Sequence, residues 1–466
     1  MDGHECSEIL LSRLERTNRL DSEFYKKSSL QIMGLLKSIS ANPLTNFVTV
    51  SDGNHMGISN KFIGKGIPYY RGQDIHNFFI EDSNPICIDE DTFNVAYMYR
   101  SHLKKGDILL SIVGTIGEVS LVSKDNKATC NCKLAILRPH NTEKSAIIAI
   151  YLKTKYGFDQ IDKFKRGTVQ MGYLLEDMNQ ILIPNFSDDL EKIINKAIFG
   201  IKSLTERSNL QFAEAENCLL AELSIDMSTI SSNGVTIKSF SESIGNTGRL
   251  DAEYYEKKNY EVIDKLNAKE TIRTFCNIYD KSFTPNDNEY YKYIELANIG
   301  KSGEIDGVKS IIGSELPSRA RRMVKKGYVI VSSIEGSLES CAIITETYDN
   351  ALCSTGFYVI DSENYNSETL LVLLKSKPIQ KLLKRGCSGT ILTNIAKDEF
   401  LQIPLPEVSQ LTQNTIKEKV SKAYLLRDQS KKLLECAKST IEMAIETDET
   451  SAISWLKAKI VELTNE

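Results

Sequence analysis

Two stretches of this chain say nearly the same thing. The first is Lys165-Arg166-Gly167-Thr168-Val169-Gln170-Met171, running on to Gln180-Ile181-Leu182-Ile183-Pro184. The second is Lys384-Arg385-Gly386-Cys387-Ser388-Gly389-Thr390-Ile391-Leu392, running on to Phe400-Leu401-Gln402-Ile403-Pro404-Leu405-Pro406. Each reads as a basic pair, a glycine-centred polar loop, a short acidic turn, an apolar strand and a proline stop, followed by a long helical pattern. Lys165-Arg166-Gly167 and Lys384-Arg385-Gly386 are matched here as equivalents. On that match the first loop lacks the small pair seen in Ser388-Gly389-Thr390.

Other echoes keep the same order. Arg19-Leu20-Asp21-Ser22-Glu23-Phe24-Tyr25 returns as Arg249-Leu250-Asp251-Ala252-Glu253-Tyr254-Tyr255. Tyr69-Tyr70-Arg71-Gly72-Gln73-Asp74-Ile75 parallels Tyr293-Ile294-Glu295-Leu296-Ala297-Asn298-Ile299. Leu103-Lys104-Lys105-Gly106-Asp107-Ile108-Leu109-Leu110-Ser111 parallels Val324-Lys325-Lys326-Gly327-Tyr328-Val329-Ile330-Val331-Ser332, and Ala128-Thr129-Cys130 parallels Ala351-Leu352-Cys353. A period of roughly 220 residues is far too long for a solenoid and signals a duplicated domain. Aliphatic, β-branched runs after each Lys-Lys-Gly turn predict strands, and 146–152 and 369–374 predict helices, so each half is expected to be α+β with a mostly antiparallel sheet.

After Pro184 a helix is predicted over about 188–222. Leu190, Ile194, Ala197, Ile201 and Leu204 follow an alternating four and three spacing, interrupted at Ser208 and Gln211 and resumed at Ala215 and Cys218. After Pro406 the same seam runs Ile416, Val420, Ala423, then Arg427 and Ser430, then Leu434, Ala437, Ile441 and Ala444. Such spacing is a coiled-coil seam, and the two helices are expected to pair antiparallel around a shared polar layer. The remaining tail, with Trp455, is expected to form a short docking helix. The expected boundaries are a first domain over 1–185, a first spacer helix over 186–224, a linker over 225–245, a second domain over 246–406, a second spacer helix over 407–446 and a tail over 447–466.

Of the 466 residues, 41% are hydrophobic and 26% charged, the composition of a soluble globular protein. With no apolar run of about 18 residues and no basic-then-apolar leader, a cytoplasmic protein without a membrane partner is expected. The ten cysteines are scattered, which favours reduced, mostly buried thiols over a metal site. No phosphate-cradling P-loop, His-Glu-x-x-His or Gly-x-Ser-x-Gly pattern is present, so no catalytic, cofactor-binding or metal-ligating residue is assigned. His102 beside two lysines reads as a surface residue in the absence of a nucleophile.

Net charge is −5, but a polyanion meets local patches, not net charge. Arg71, Gln73, Arg166, Thr168, Gln170, Arg385, Ser388 and Thr390 have the side chains that address base edges and phosphates. Lys104, Lys105, Arg319, Arg321, Arg322 and Lys325 would add phosphate contacts.

The duplicated order of these motifs, from about Arg19 to Glu446, resembles the specificity subunit of type I restriction-modification enzymes. That resemblance implies two tandem α+β target-recognition domains, each followed by a long helix, the helices pairing as an antiparallel coiled coil. Each domain would read one part of a bipartite, asymmetric double-stranded DNA target. Catalysis would lie elsewhere, in two modification (methyltransferase) subunits carrying S-adenosylmethionine and, in a full restriction complex, two restriction (translocase/nuclease) subunits. The competing readings are a duplicated protein-interaction scaffold without DNA, and a nuclease with an unrecognised site.

Overall fold

The computed structural model describes residues 7–11, 19–75, 77–82, 85–167, 171–230, 235–300, 302–389 and 393–464. The chain divides into two units: Met1–Leu204 with Gln429–Glu466, and Thr205–Asp428.

The first unit contains the first half's α+β domain. Helix α1 (Lys27–Ser38) precedes a four-stranded antiparallel sheet built from β1 (Val48–Asp52), β5 (Ile108–Ser111), β6 (Val119–Leu121) and β8 (Leu134–Pro139), in the order β1-β8-β5-β6. A second sheet contains β2 (Phe62–Ile63), β3 (Ile67–Tyr70), β4 (Ile86–Ile88) and β7 (Thr129–Cys130), in the order β2-β4-β3-β7, with β3 and β7 parallel. Alternation along each strand sorts the side chains. Leu109, Leu134 and Ile136 join Tyr70, Ile75 and Cys130 in one buried cluster, while their neighbours Ile108, Leu110, Ala135 and Leu137 are equally buried. Burial on both faces explains why these strands read as continuous apolar runs.

Helices α2 (Ser145–Lys153) and α3 (Lys155–Phe164) follow. The Thr154 side chain caps α3 by accepting from Gly157 N at 3.3 Å. Gly157 is required by close approach: a Cβ there would sit 2.3 Å from the Tyr151 carbonyl oxygen.

The second unit repeats this frame after helix α5 (Lys257–Leu266). Its first sheet runs β9-β16-β13-β14, formed by β9 (Asn277–Ile278), β13 (Val329–Ser332), β14 (Cys341–Ile343) and β16 (Phe357–Asp361). Its second sheet runs β11-β10-β15-β12, formed by β10 (Tyr290–Ile294), β11 (Lys309–Ile312), β12 (Ala320–Met323) and β15 (Leu352–Ser354), with β10 and β15 parallel. Ile330 faces the core shared with Ile294 and Cys353. Val329 and Val331 face the other core, with Leu370, Leu373, Leu382 and the long helices' Ala215 and Ile416. Helices α6 (Ser367–Lys375) and α7 (Lys377–Gly386) start at an Asn366 cap and at Ser376 with Pro378 in the first turn, both ordinary helix-start chemistry.

The long helices are α4 (Asp188–Glu222) and α8 (Gln410–Glu446). Within the second unit they run antiparallel: Ser208 Oγ donates to the Ala423 carbonyl at 2.8 Å, Lys419 pairs with Glu214 at 2.6 Å, and Glu222 accepts from Ser409 N at 2.7 Å. Within the first unit Ser430 Oγ donates to the Ile201 carbonyl at 3.2 Å. Leu190, Ile194, Ala197, Ile201, Leu204, Ile416, Val420, Ala423, Ala437 and Ile441 are buried as the seam predicts, and Leu433 is buried where the spacing predicts Leu434. In the polar break each serine donates its hydroxyl to a carbonyl of the facing helix, and Arg427 donates to Asn209 Oδ1 at 2.6 Å. The tail is helix α9 (Glu449–Thr464), which buries Ala452, Leu456 and Ile460.

Candidate nucleic-acid interface

The repeat has a fixed phase in its C-terminal part. Lys155–Phe164 returns as Lys377–Gly386, Leu182–Ile183 as Pro404–Leu405 and Asp188 as Gln410, all at one constant offset. This phase corrects the opening match of the two basic pairs. In it Arg385 stands opposite Lys163, and Arg166 stands opposite Ser388. Gly167 and Gly389 then coincide, with Thr168 and Thr390 after them. Both glycines adopt a left-handed backbone, φ 114° and 126°, which an L side chain resists. The Gly-Thr pair is therefore shared by both halves, contrary to the reading that the first loop lacks it. Identity of Lys-Arg-Gly outweighs, to the eye, the phase of the flanking Gln-Ile and proline positions, which carry the correct signal.

Each glycine belongs to a small hairpin. Arg166 and Gly172 exchange backbone hydrogen bonds of 2.8 and 2.7 Å. Ser388 pairs with Asn394 in the same register. Val113 bridges to Gly172, and Ile334 to Asn394, so each hairpin stands where the central strand of the first sheet, β5 or β13, runs out. Thr168, Gln170 and Thr390 lie outside the described residues; Ser388 is exposed on its stem.

The two arginines of the opening motif hold the fold together. Arg166 Nη2 contacts both oxygens of Asp177, at 3.0 and 2.7 Å. Burial pushes the Asp177 carboxyl up while the guanidinium pulls it down. Arg385 lies over the Tyr254 ring at 4.1 Å and donates Nε to the Tyr254 carbonyl at 3.0 Å. Lys163, which was not anticipated, lies over Phe24 at 4.3 Å in the matching place.

Arg322 carries the chemistry of the second unit's edge strand β12. It donates to the Phe357 carbonyl and lies 5.9 Å from the Tyr358 ring. Tyr358 donates to the Ile395 carbonyl at 2.8 Å, and Ile395 pairs with Cys387. The structure thus brings Arg322 and the second hairpin together. Arg321 bonds the Ser318 carbonyl, and Arg319 is exposed. Arg71 pairs with Asp74 at 3.2 Å, and Gln73 beside it is exposed.

The lysine turns lie elsewhere. Lys104 and Lys105 precede β5, and Lys325 and Lys326 precede β13, at the ends opposite the hairpins. Extended chain from Lys326 to Ile334 spans roughly 25 Å. Lys325 bonds Asn350 at 2.6 Å, and Lys326 pairs with Glu346. His102 is stacked on Phe93 at 3.7 Å and bonded to the Phe93 carbonyl at 2.9 Å.

A cavity of ≈ 440 Å³ in the second unit opens beside Arg249, Lys258, Glu335, Arg385 and Ser388. Both signs of charge line it. Cys387 borders it, with its thiol pushed up to about 11 by burial, which suits a packing residue and not a nucleophile. Among the described residues no group of three His, Cys, Asp or Glu could hold a metal, and no helix is long and apolar enough to cross a membrane.

These features define a class: a duplicated α+β chain in which each half ends its first sheet in a glycine hairpin and feeds a long helix into an antiparallel pair. The chain matches no family model and no curated protein. Among solved structures it is similar to the type I restriction-modification system S subunit from M. genitalium, at 13% identity over 89% of this chain and 95% of that one, with a TM-score of 0.32. It is also similar to a chain from a type I R-M system studied for complex assembly and conformational transition (13% identity, 90% and 96% covered, TM-score 0.27). The HsdS subunit from Thermoanaerobacter tengcongensis is a third such structure (13% identity, 91% and 95% covered, TM-score 0.26). Likenesses at these TM-scores add no weight to function, which rests on the chain's own two halves.

Proposed function

We propose that the chain is the non-catalytic DNA sequence-recognition subunit of a type I restriction-modification complex. Each half reads one part of a bipartite, asymmetric target. The paired helices set the spacing and dock two methyltransferase subunits, which carry S-adenosylmethionine; two restriction subunits join in a full complex. One observation carries this reading: a single frame occurs twice, and the copies diverge at the outer strand of the second sheet. The first half adds the edge strand Phe62–Ile63 beyond β4, whereas the second adds the basic strand Ala320–Met323 beyond β15. At that edge of the first half stands only the single bridge His102–Thr129 among the described residues. A common frame with unlike edges suits two different DNA words read by one mechanism, since base contacts specify while the frame and phosphate contacts position.

The test is to co-express the chain with its methyltransferase and map methylated adenines across the host genome. A split sequence with two unlike halves supports the proposal, and methylation without any bipartite preference refutes it. Charge reversal separates this from a scaffold role, but Arg166 and Arg385 are poor places for it because both make intramolecular contacts. Arg319→Glu and the pair Lys104→Glu with Lys105→Glu are better, since these residues are exposed. Reversal should weaken methylation steeply and with a changed salt dependence, whereas a scaffold would be indifferent.

A further inference from the structure

We infer that the Arg-Leu-Asp-x-Glu-aromatic motif of each half is a clamp, and that Arg19 with Phe24 and Arg249 with Tyr254 are positioning residues that fix the glycine hairpin through the helix before it. This rests on the DNA-reading role proposed above.

The geometry is the same twice. Arg19 grips Asp21 with two nitrogens at 2.8 and 2.5 Å, and Arg249 grips Asp251 at 2.9 and 2.6 Å. These bonds hold both carboxyls below the usual aspartate range and orient each guanidinium. The same groups then donate to the end of the helix that leads into the hairpin. Arg19 Nη1 reaches the Lys163 carbonyl at 3.3 Å, just before the stem at Arg166. Arg249 reaches the Gly386 carbonyl at 3.2 Å and the Cys387 carbonyl at 2.8 Å, adjoining the stem at Ser388. A cation at unsatisfied C-terminal carbonyls suits both the hydrogen-bond need and the helix dipole.

The aromatic residue completes the device. Phe24 has Arg19 at 4.7 Å and Lys163 at 4.3 Å; Tyr254 has Arg249 at 4.3 Å and Arg385 at 4.1 Å. One cation comes from the motif and one from the helix, so the ring ties together two segments that are distant along the chain. Leu20 and Leu250 remain 80% and 73% exposed. Burial of the leucine therefore does not account for the repeated motif; the arginine, the aspartate and the ring do.

The test uses the full chain with its methyltransferase, comparing Tyr254→Leu, Arg249→Lys and Tyr254→Phe with Phe24→Leu and Arg19→Lys. Two quantities are read: amide hydrogen exchange of the stem residues 165–167 and 386–389, and methylation across a library in which each half of the mapped target is varied separately. Tyr254→Leu should speed exchange only at 386–389 and lower discrimination about tenfold in one half-target only, the size expected from losing a partly desolvated cation–π contact. Phe24→Leu should do the same at 165–167 for the other half-target. Tyr254→Phe keeps the ring and loses only the 3.4 Å hydroxyl contact to Glu399, so it should stay far closer to wild type than Tyr254→Leu, as the first half works with phenylalanine. Arg249→Lys and Arg19→Lys give the same answer should a ring variant fail to fold. Unchanged exchange overturns the clamp whatever the DNA result. Faster exchange with both half-targets intact, or equally weakened, overturns the positioning role. A wild-type complex without a bipartite target sinks the DNA reading itself, and the positioning role with it.

Discussion

At one place the two halves solve the same packing problem with opposite chemistry. In the first, Tyr151 donates to the Leu182 carbonyl at 2.6 Å, Gln160 Nε2 donates to Tyr151 Oη at 2.9 Å and to the Leu182 carbonyl at 3.0 Å, and Leu182 N donates back to Gln160 Oε1 at 2.7 Å. Tyr151 and Gln160 are fully buried. Their equivalents in the second half, with that of Leu182, are Leu373, Leu382 and Pro404. Proline has no N–H, so the second half has no donor to satisfy there and fills the space with leucine. The comparison teaches that the frame does not depend on the network: a buried polar group is needed only where the backbone presents a donor.

The largest expected effect breaks that network. Gln160→Leu strands a backbone N–H and should cost about 3 kcal/mol, since several partners are lost at once in a buried site. The triple variant Tyr151→Leu, Gln160→Leu, Leu182→Pro imports the second half's solution and should recover most of that loss, a strongly non-additive result. Urea denaturation of the full chain, with the first unit's transition followed, decides it; additive losses would show that the two packings are not interchangeable.

Next is the pair Arg166 and Ser388, which occupy one position of the hairpin stem. Arg166→Ala leaves Asp177, 4% exposed, without its ion-pair partner and with only the 3.5 Å contact from Gln180 Nε2 as a side-chain hydrogen bond among the described residues. It should cost about 1–3 kcal/mol, while Ser388→Ala should stay within about 0.5 kcal/mol. Equal effects on thermal unfolding would mean the ion pair contributes nothing to the first stem.

Smaller still are the helix serines. Ser208 and Ser430 are equivalent in the phase of the repeat, as are Ile201 and Ala423, whose carbonyls accept from them. Both carbonyls lie inside helices, so Ser208→Ala and Ser430→Ala should each change stability by less than about 1 kcal/mol. The two changes should agree closely, and unequal melting shifts would show that the contacts are not energetic equivalents.

The smallest effect is one of pH. In the first unit Glu446 pairs with Lys155 and accepts from Tyr156 at 2.8 Å. The second half has Lys377 and Pro378 in place of Lys155 and Tyr156. The Lys155 and Tyr156 bonds hold Glu446 below its ordinary 4.5. A lowered carboxylate adds stability that is fully present above the unfolded value and is lost as pH falls from about 4.5 through the folded value. At a partly exposed site this is worth less than about 1 kcal/mol. Glu446→Gln should therefore flatten the acid limb of the first unit's stability curve slightly and leave the second unit's unchanged.

Much of this architecture was legible in the residues. Apolar spacing placed both long helices, and matched Lys-Lys-Gly turns placed the central strands, because each signal is a local periodicity enforced by burial. What escaped depended on through-space pairing. Nothing local to Arg166 says that its charge is taken by Asp177, or that Lys163 and not Arg166 takes Arg385's role. The serines of the helix pair were recognised as a polar break, but a hydroxyl's choice between a facing side chain and a facing carbonyl is set by interhelical geometry.

The hairpin stems carry a last consequence. Each is closed by backbone pairing at 166/172 and 388/394 and is bridged to the run-out of its sheet by Val113 or Ile334. Both feet of each stem are thus anchored to main chain and not to side chains, so a change of residue type at either foot leaves the anchorage itself in place.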